Sequence, residues 1–232
     1  MNIIQFKKLE STNTYAKLNI DNLADRTIIS ADIQTNGHGQ FKRKWVDLGA
    51  ENIYMTFVLK PSRVILNLFQ DLTNGRYCPT VVGLANPTYN QNNLDPEKNS
   101  TKCINEYLKI YLYLTQYLAV CLCKQIEEMS PHPNPRPSRG EGVSIKLPND
   151  VLINGKKVAG ILAETVTRGN KSKGIVLGIG VNLNTSIENL SKIDSPATSL
   201  NLELGKKVNK QEFMQQLIER FFAGYDEVIN CE

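Results

Sequence analysis

Residues 143–166 read VSIKLPNDVLINGKKVAGILAETV, and this stretch decides the fold. Val143–Leu147 and Val151–Ile153 are short apolar segments typical of strands. Asn154-Gly155 follows them and is a strong signal for a type I′ hairpin turn. Lys156–Val166 is the apolar segment that returns from this turn. The order of strand, strand, tight turn and strand predicts an antiparallel meander.

The rest of the chain extends this pattern on both sides. Further strands are predicted at Ile3–Phe6, Thr27–Ile33, Asn52–Leu59 and Gly174–Leu183. Helices are predicted after Ser11 or Thr12, at Glu106–Glu128 and at Gln211–Val228, the last with an apolar residue at every fourth position. The predicted fold class is α+β, with a mixed, mostly antiparallel sheet and helices packed on one face.

Composition narrows the class of protein. The 232 residues are 41% hydrophobic and 22% charged, with a net charge of +4, which suits one globular domain. The cations are dispersed, so no nucleic-acid partner is expected. The five cysteines form no C-x-x-C pair, which favours reduced thiols and a cytoplasmic location. The longest apolar run, Tyr107–Cys123, is too short to span a membrane, and no metal-ligand spacing occurs.

Two stretches interrupt the domain, which is taken as residues 1–232. Residues 62–105 show no sustained strand or helix period and are rich in Asn, Pro and Gly. Residues 130–142 alternate proline with polar residues. Long irregular segments are uncommon within compact domains, so both stretches are predicted to be insertions.

The loop Gln34–Trp45, QTNGHGQFKRKW, joins two of the predicted strands. Its glycines allow close approach of backbone to a ligand, and Lys42, Arg43 and Lys44 suit a phosphate. A solvated basic turn is the alternative interpretation.

Three other places offer polar groups next to apolar strands. Ser11-Thr12-Asn13 is either a plain helix N-cap or a place where ligand atoms are held. Lys146 and Asp150 flank a proline at a strand exit. Lys157 opens a buried strand, either as a rim residue or as a charge directed into a site. No phosphate-binding P-loop, dinucleotide fingerprint or nucleophilic serine elbow occurs.

Six short motifs occur in a fixed order between Ser11 and Asn184: S-T-N, Q-T-x-G-x-G-x-x-x-R-x-W, N-x-Y-x-T, K-x-P-N-D, K-x-x-G-I-L-x-E and G-I-G-V-N. Together they resemble the biotin–protein ligases, the biotin–[acetyl-CoA-carboxylase] ligases. The resemblance implies a class II synthetase-like catalytic domain that uses ATP, biotin and Mg²⁺. It implies synthesis of biotinyl-5′-AMP, then transfer of biotin to a lysine of the biotin carboxyl carrier protein of acetyl-CoA carboxylase or a related biotin enzyme.

The resemblance also implies roles for individual residues. Catalytic roles fall on Lys157, Lys146 and Asp150. Biotin binding falls on Ser11, Thr12, Asn13, Gln34, His38, Gly39, Gln40 and Lys157. Nucleotide binding falls on Arg43, Lys44, Trp45, Asn149 and Asn182.

The chain departs from the family pattern at the loop, where His38 and Gln40 replace two arginines and Lys42 replaces a glycine. Weaker retention of the adenylate is therefore expected. No DNA-binding domain is expected before Ile3, nor a complete C-terminal domain before Glu232, so a repressor role is not predicted. Two alternatives remain open: a lipoate–protein ligase, which shares the fold, and an inactive pseudo-ligase that binds biotin or adenylate.

Overall fold

The computed structural model describes residues 2–40, 43–49, 51–60, 99–129, 142–168 and 171–230. Its centre is a seven-stranded sheet with the spatial order β1-β2-β3-β7-β6-β5-β4. The strands are β1 Asn2–Leu9, β2 Thr27–Gln34, β3 Ile53–Leu59, β4 Val143–Lys146, β5 Asp150–Ile153, β6 Lys156–Arg168 and β7 Lys171–Val181. Only β1 and β2 pair in parallel. The predicted mixed, mostly antiparallel sheet is therefore confirmed.

The predicted meander is present as four consecutive strands, β4 to β7, each paired with the next. At the β5–β6 turn, Asn154 has φ 50° and Gly155 has φ 75°. Positive φ at both central residues is what a type I′ turn requires, and it matches the right-handed twist of the two strands. Gly142, just before β4, ties β4 to this same turn, because its N–H donates to Asn154 Oδ1 at 2.9 Å.

The helices are α1 Thr12–Leu18, α2 Asn99–Met129, α3 Ile187–Leu190, α4 Leu200–Leu204 and α5 Lys210–Asn230. The long helices α2 and α5 pack on one face of the sheet, where Phe57 of β3 meets Phe221 of α5 with ring centroids 4.6 Å apart. The neighbouring Val58 points to the opposite face and packs with Ala16 and Ile20, in and just after α1. Helices on a single face were predicted; α1 corrects that prediction, because strand residues alternate between faces.

Helix α2 also corrects a boundary. It begins at Asn99, whereas the sequence predicted a start at Glu106, so residues 99–105 are helical although they were assigned to the first insertion. The remainder of the two predicted insertions, residues 61–98 and 130–141, lies outside the described residues. Within the described part of the chain, no helix is both long enough and apolar enough to cross a membrane.

Candidate active site

The floor of the site is made of backbone at three glycines, Gly160 on β6 and Gly178 and Gly180 on β7. A Cβ at Gly178 would lie 2.2 Å from Asn13 Oδ1, and one at Gly180 would lie 2.5 Å from the Trp45 ring. A Cβ at Gly160 would lie 2.7 Å from the same ring. All three distances are shorter than van der Waals contact, so only glycine lets α1 and the loop approach the sheet this closely.

The first turn of α1 forms the inner end of the site. Ser11 is its N-cap, and the Thr14 N–H donates to Ser11 Oγ at 3.4 Å. The next residues, Thr12 and Asn13, are buried against the sheet. Gln34, at the end of β2, accepts the Thr12 N–H on Oε1 at 2.7 Å. Ser11 is thus a helix cap, and the same turn also presents polar side chains to the sheet.

Asn13 joins two strands through its amide. Its Nδ2 donates to Glu164 Oε2 of β6 at 2.9 Å, and its Oδ1 accepts from Thr56 Oγ1 of β3 at 2.6 Å. Glu164 also holds Lys17 of α1 at 2.6 Å and lies 3.8 Å from His38 Nε2 of the loop. No site role was predicted for Glu164 or Thr56, although each is the last residue of one of the six sequence motifs, N-x-Y-x-T for Thr56 and K-x-x-G-I-L-x-E for Glu164.

The loop after β2 forms a small hairpin that folds over the floor. Gly39 N–H donates to Arg43 O at 2.7 Å, and Trp45 N–H donates to Gly37 O at 2.9 Å. His38 and Lys44 form a β-bridge between these two bonds. The backbone of residues 37–40 and 43–45 is therefore ordered as a hairpin, while the Arg43 and Lys44 side chains are exposed, so the solvated turn considered above stays open for these two cations. Lys42, to which a role was also given, lies outside the described residues.

Tyr54 anchors the far end of this loop. Its hydroxyl donates to Asp47 Oδ1 at 2.9 Å and accepts the Leu48 N–H at 3.1 Å. Burial, with the Asp47 carboxylate as a further cause, raises the pKa of Tyr54 well above its usual range. The phenol consequently stays protonated and keeps its donor to Asp47.

Lys157 marks the outer end of the site. Its Nζ lies 2.6 Å from Asp150 Oδ1 and 5.2 Å from the centroid of the Trp45 ring. The ammonium is thus held between a carboxylate and an aromatic face, which supports the second of its two interpretations, a charge directed into a site. The Lys157 backbone is fixed as well, since its N–H donates to Pro196 O and its carbonyl accepts from Thr198 N–H, both at 2.9 Å.

The segment 193–199 forms a wall that sequence reasoning missed. Ile193, Ser195 and Ala197 line the site from this segment. Asn182 Nδ2 donates to Thr198 O at 3.1 Å and so ties the segment to the end of β7. The segment has no strand or helix period, and its position depends on bonds to residues far away in the sequence.

These elements enclose one cavity of about 310 Å³. All the residues that the sequence assigned to the site line it: Ser11, Thr12, Asn13, Gln34, His38, Gly39, Gln40, Arg43, Lys44, Trp45, Lys146, Asn149, Asp150, Lys157 and Asn182. Asn149 is fixed by its Nδ2, which donates to Ile161 O at 3.0 Å.

The cavity is unevenly charged. Arg43, Lys44, Lys146 and Lys157 line it, whereas Asp150 is the only carboxylate among its described lining residues. Such a wall attracts an anion such as a phosphate. In the described part of the chain, no three His, Cys, Asp or Glu side chains group as metal ligands.

Comparison with models of protein families identifies the family of this chain. The model for the biotin/lipoate A/B protein ligase family matches residues 5–77 and 96–182, which is more than half of the chain. The chain belongs to this family. The matched ranges carry every residue that lines the cavity except Ile193, Ser195 and Ala197.

Individual relatives in the family are consistent with this. The bifunctional ligase/repressor BirA of Bacillus subtilis is 25% identical over 225 residues, which cover 96% of this chain and 53% of BirA. The biotin–[acetyl-CoA-carboxylase] ligase of Paracoccus denitrificans is 39% identical over 82 residues, covering 34% of each chain. This chain therefore spans about half the length of the first of these relatives.

Solved structures in the family share the fold. The biotin protein ligase of Aquifex aeolicus in complex with biotin and ATP has a TM-score of 0.66 at 24% identity, covering all of this chain and 73% of that one. The biotin protein ligase of Leishmania major in complex with biotinyl-5-AMP has a TM-score of 0.61 at 18% identity, covering 97% of this chain and 75% of that one. The fold is that of the catalytic domain of biotin protein ligases.

Proposed function

We propose that this protein activates biotin with ATP and transfers it to a lysine of a biotin carboxyl carrier protein. The observation that carries the proposal is the combination of groups that line one cavity. The polar groups of Thr12 and Gln34 share it with the cations Lys157, Arg43 and Lys44. A molecule with a polar ring at one end and a carboxylate at the other would present that carboxylate to Lys157, next to the phosphates.

In the first step, a carboxylate oxygen of biotin attacks the α-phosphorus of ATP. A carbon–oxygen–phosphorus linkage forms, the bond from the α-phosphorus to the bridging oxygen breaks, and pyrophosphate leaves. Two anions must meet for this to happen. Lys157 and Lys146 offset their repulsion, and a cation fixed in advance stabilises the charge that develops on the transferring group.

In the second step, the amine of the carrier lysine attacks the acyl carbon of biotinyl-5′-AMP. An amide bond forms, the bond from acyl carbon to phosphate oxygen breaks, AMP leaves, and the amine loses a proton. The adenylate reacts with water, so the hairpin of the loop, held by Gly37 and Gly39, would retain it and exclude solvent.

Magnesium would enter with the nucleotide. Mg²⁺ in such sites is held by substrate phosphates with one or two carboxylates, and Asp150 is the carboxylate that this cavity offers. When bound, the ion would neutralise charge on the departing pyrophosphate.

Lipoate is the competing substrate, since the family includes lipoate ligases. The polar inner end favours biotin. Thr12, Asn13, Gln34 and Thr56 surround it with hydrogen-bonding groups, and the ureido group of biotin offers N–H and C=O to match. The dithiolane ring of lipoate has no N–H or O–H to donate.

The test is ATP–pyrophosphate exchange. We expect exchange that depends on biotin and is at least tenfold slower with lipoate, followed by biotin transfer when a purified carrier domain is added. Exchange driven by lipoate instead would replace the proposed substrate. Biotin binding without exchange would show the inactive alternative, and exchange without transfer would limit the proposal to its first step.

A further inference from the structure

We infer that Glu164 is a positioning residue that fixes the direction of hydrogen bonding at the inner end of the cavity, so that this end selects ligands offering N–H groups. The inference rests on the proposed function for the identity of the ligand. It concerns a residue outside the lining of the cavity, which acts through the Asn13 amide and two hydroxyls, here called the relay: Asn13, Thr56 and Thr12.

The relay begins at a group that can only accept. Ionised Glu164 has no proton to give, and Lys17 occupies its other oxygen at 2.6 Å. Asn13 must therefore turn its Nδ2 toward Glu164, at 2.9 Å, and it also reaches Leu162 O at 3.3 Å. The Asn13 carbonyl oxygen is left facing Thr56.

The hydroxyls of Thr56 and Thr12 then take their donor and acceptor roles from the orientation of the Asn13 amide. Asn13 Oδ1 cannot donate, so the 2.6 Å contact with Thr56 uses the only hydroxyl proton of Thr56. Thr12 then has one hydroxyl proton for two contacts, at 2.8 Å to Thr56 Oγ1 and at 3.1 Å to Gln34 Oε1. We assign it to the shorter contact, because Gln34 Oε1 already accepts the Thr12 N–H at 2.7 Å.

The consequence is an inner end rich in acceptors. With its proton turned toward Thr56, Thr12 Oγ1 keeps a lone pair for the cavity that Thr12 lines. Its partner Gln34 also presents an accepting oxygen there. A ureido N–H suits this arrangement. All relay members are buried, with Thr56 at 0% exposure and Asn13 at 4%, so water cannot readily restore a lost bond.

Glu164→Gln should reverse the relay without removing bulk. Lys17 would hold the oxygen of the new amide and turn its nitrogen toward Asn13. Asn13 would then flip to accept, at the expense of its longer 3.3 Å bond to Leu162 O, and Thr56 and Thr12 would reverse in turn. We expect the Kd for biotin to rise by up to roughly tenfold, the upper range for losing one hydrogen bond between neutral groups, while the Kd for ATP and the melting temperature change little.

Two further variants separate this role from a merely structural one. In Thr56→Val the relay is cut, so adding Glu164→Gln should raise the biotin Kd less than twofold further. In Lys17→Met/Glu164→Gln the amide is free to present its oxygen to Asn13, so affinity should recover relative to Glu164→Gln alone. Lys17→Met is the matched control, because it removes the ion pair and leaves the carboxylate, and it should bind biotin within about twofold of wild type.

Calorimetric titration of each variant with biotin and with ATP tests this role of Glu164. Wild-type affinity in Glu164→Gln, or an equal loss with and without Thr56→Val, would overturn the role of Glu164 while leaving the proposed function intact. Failure of the unaltered protein to bind biotin would instead overturn the proposed function, and this inference with it.

Discussion

Lys157 and Asp150 form a 2.6 Å ion pair at the outer end of the cavity, directly beside the Trp45 ring. The pair joins the second residue of β6 to the first residue of β5, on either side of the hairpin turn. The Lys157 cation is therefore in place before any ligand arrives, and a bound carboxylate or phosphate would share it with Asp150. Preorganised charge of this kind is the most effective way to lower a barrier in which anions meet.

Lys157→Ala should slow biotin-dependent ATP–pyrophosphate exchange by roughly a hundredfold or more, because it removes the cation between the two anions. Folding should be nearly unaffected, since the Lys157 side chain is 29% exposed and its backbone bonds to the segment 193–199 do not need the side chain. Exchange rates and thermal unfolding together measure the two effects.

The neighbouring lysine supplies the control. Lys156 is exposed and lies outside the cavity lining, so Lys156→Ala should exchange at nearly the wild-type rate. Wild-type exchange in Lys157→Ala would remove this residue from the mechanism.

Gly180→Ala should displace Trp45, because the new Cβ would lie 2.5 Å from its ring. Trp45 is the only tryptophan, so intrinsic fluorescence reports its surroundings directly. We expect a red-shifted emission maximum in the folded variant and weaker ATP binding.

Gly178→Ala is the matched change two residues away. Its Cβ would meet Asn13 at 2.2 Å and leaves the tryptophan alone, so biotin binding should weaken with emission unchanged. Unchanged emission in Gly180→Ala as well would mean that the ring does not rest on this strand.

Tyr54→Phe should lower the free energy of unfolding by about 1–2 kcal/mol, since the half-buried Asp47 carboxylate and the buried Leu48 N–H lose their hydrogen bonds to the phenol. Urea denaturation measures this change. Tyr15→Phe is the control, because its ring packs on Phe6 at 4.7 Å and its hydroxyl makes no hydrogen bond within the described residues. Equal losses in the two variants would argue against the anchoring role of Tyr54.

The two described cysteine side chains should resist alkylation in the folded protein. Burial raises the pKa of Cys121 to about 11 and that of Cys123 to about 12. Only the thiolate reacts, and a raised pKa keeps the thiol protonated, so modification at pH 8 should be slow and should accelerate only as the pH nears these values. Peptide mapping after iodoacetamide treatment, with and without denaturant, checks this; rapid native labelling at pH 8 would contradict it.

The altered loop should release its adenylate quickly. His38 and Gln40 occupy the positions of two arginines in the biotin–protein ligase motif, and neither offers the phosphate a permanent positive charge. The double change His38→Arg/Gln40→Arg should slow the release of biotinyl-5′-AMP, measured by filtration of preformed complex. A release rate in the unaltered protein no faster than that of a ligase with both arginines would refute the prediction.

Much of this fold follows from local signals. The Asn154-Gly155 turn and the alternating strands around it were predictable, because turn geometry and strand period are properties of neighbouring residues. The set of cavity residues was also predictable, but only through the order of short motifs. Nothing about Lys146 or Asn182 alone would place them in one cavity.

The remaining features depend on contacts between distant residues. Glu164 contacts α1, whose Asn13 lies 151 positions earlier in the sequence. Segment 193–199 owes its position to Lys157 and Asn182, which fix it from two directions. The sequence also did not indicate the face of the sheet on which α1 packs, because that face depends on where the sheet has glycines that let the helix approach.

The glycine floor has a further consequence for the cost of binding. Asn13 and the Trp45 ring pack directly on Gly160, Gly178 and Gly180, so a ligand at this end of the site meets side chains that are already ordered. Ordering a long side chain costs about 0.5–1.5 kcal/mol of conformational entropy. That entropic cost falls instead on the loop hairpin that folds over the site, at residues such as Arg43 and Lys44, which are exposed in the free protein. Changes that stiffen this hairpin should therefore tighten binding without any new contact to the ligand.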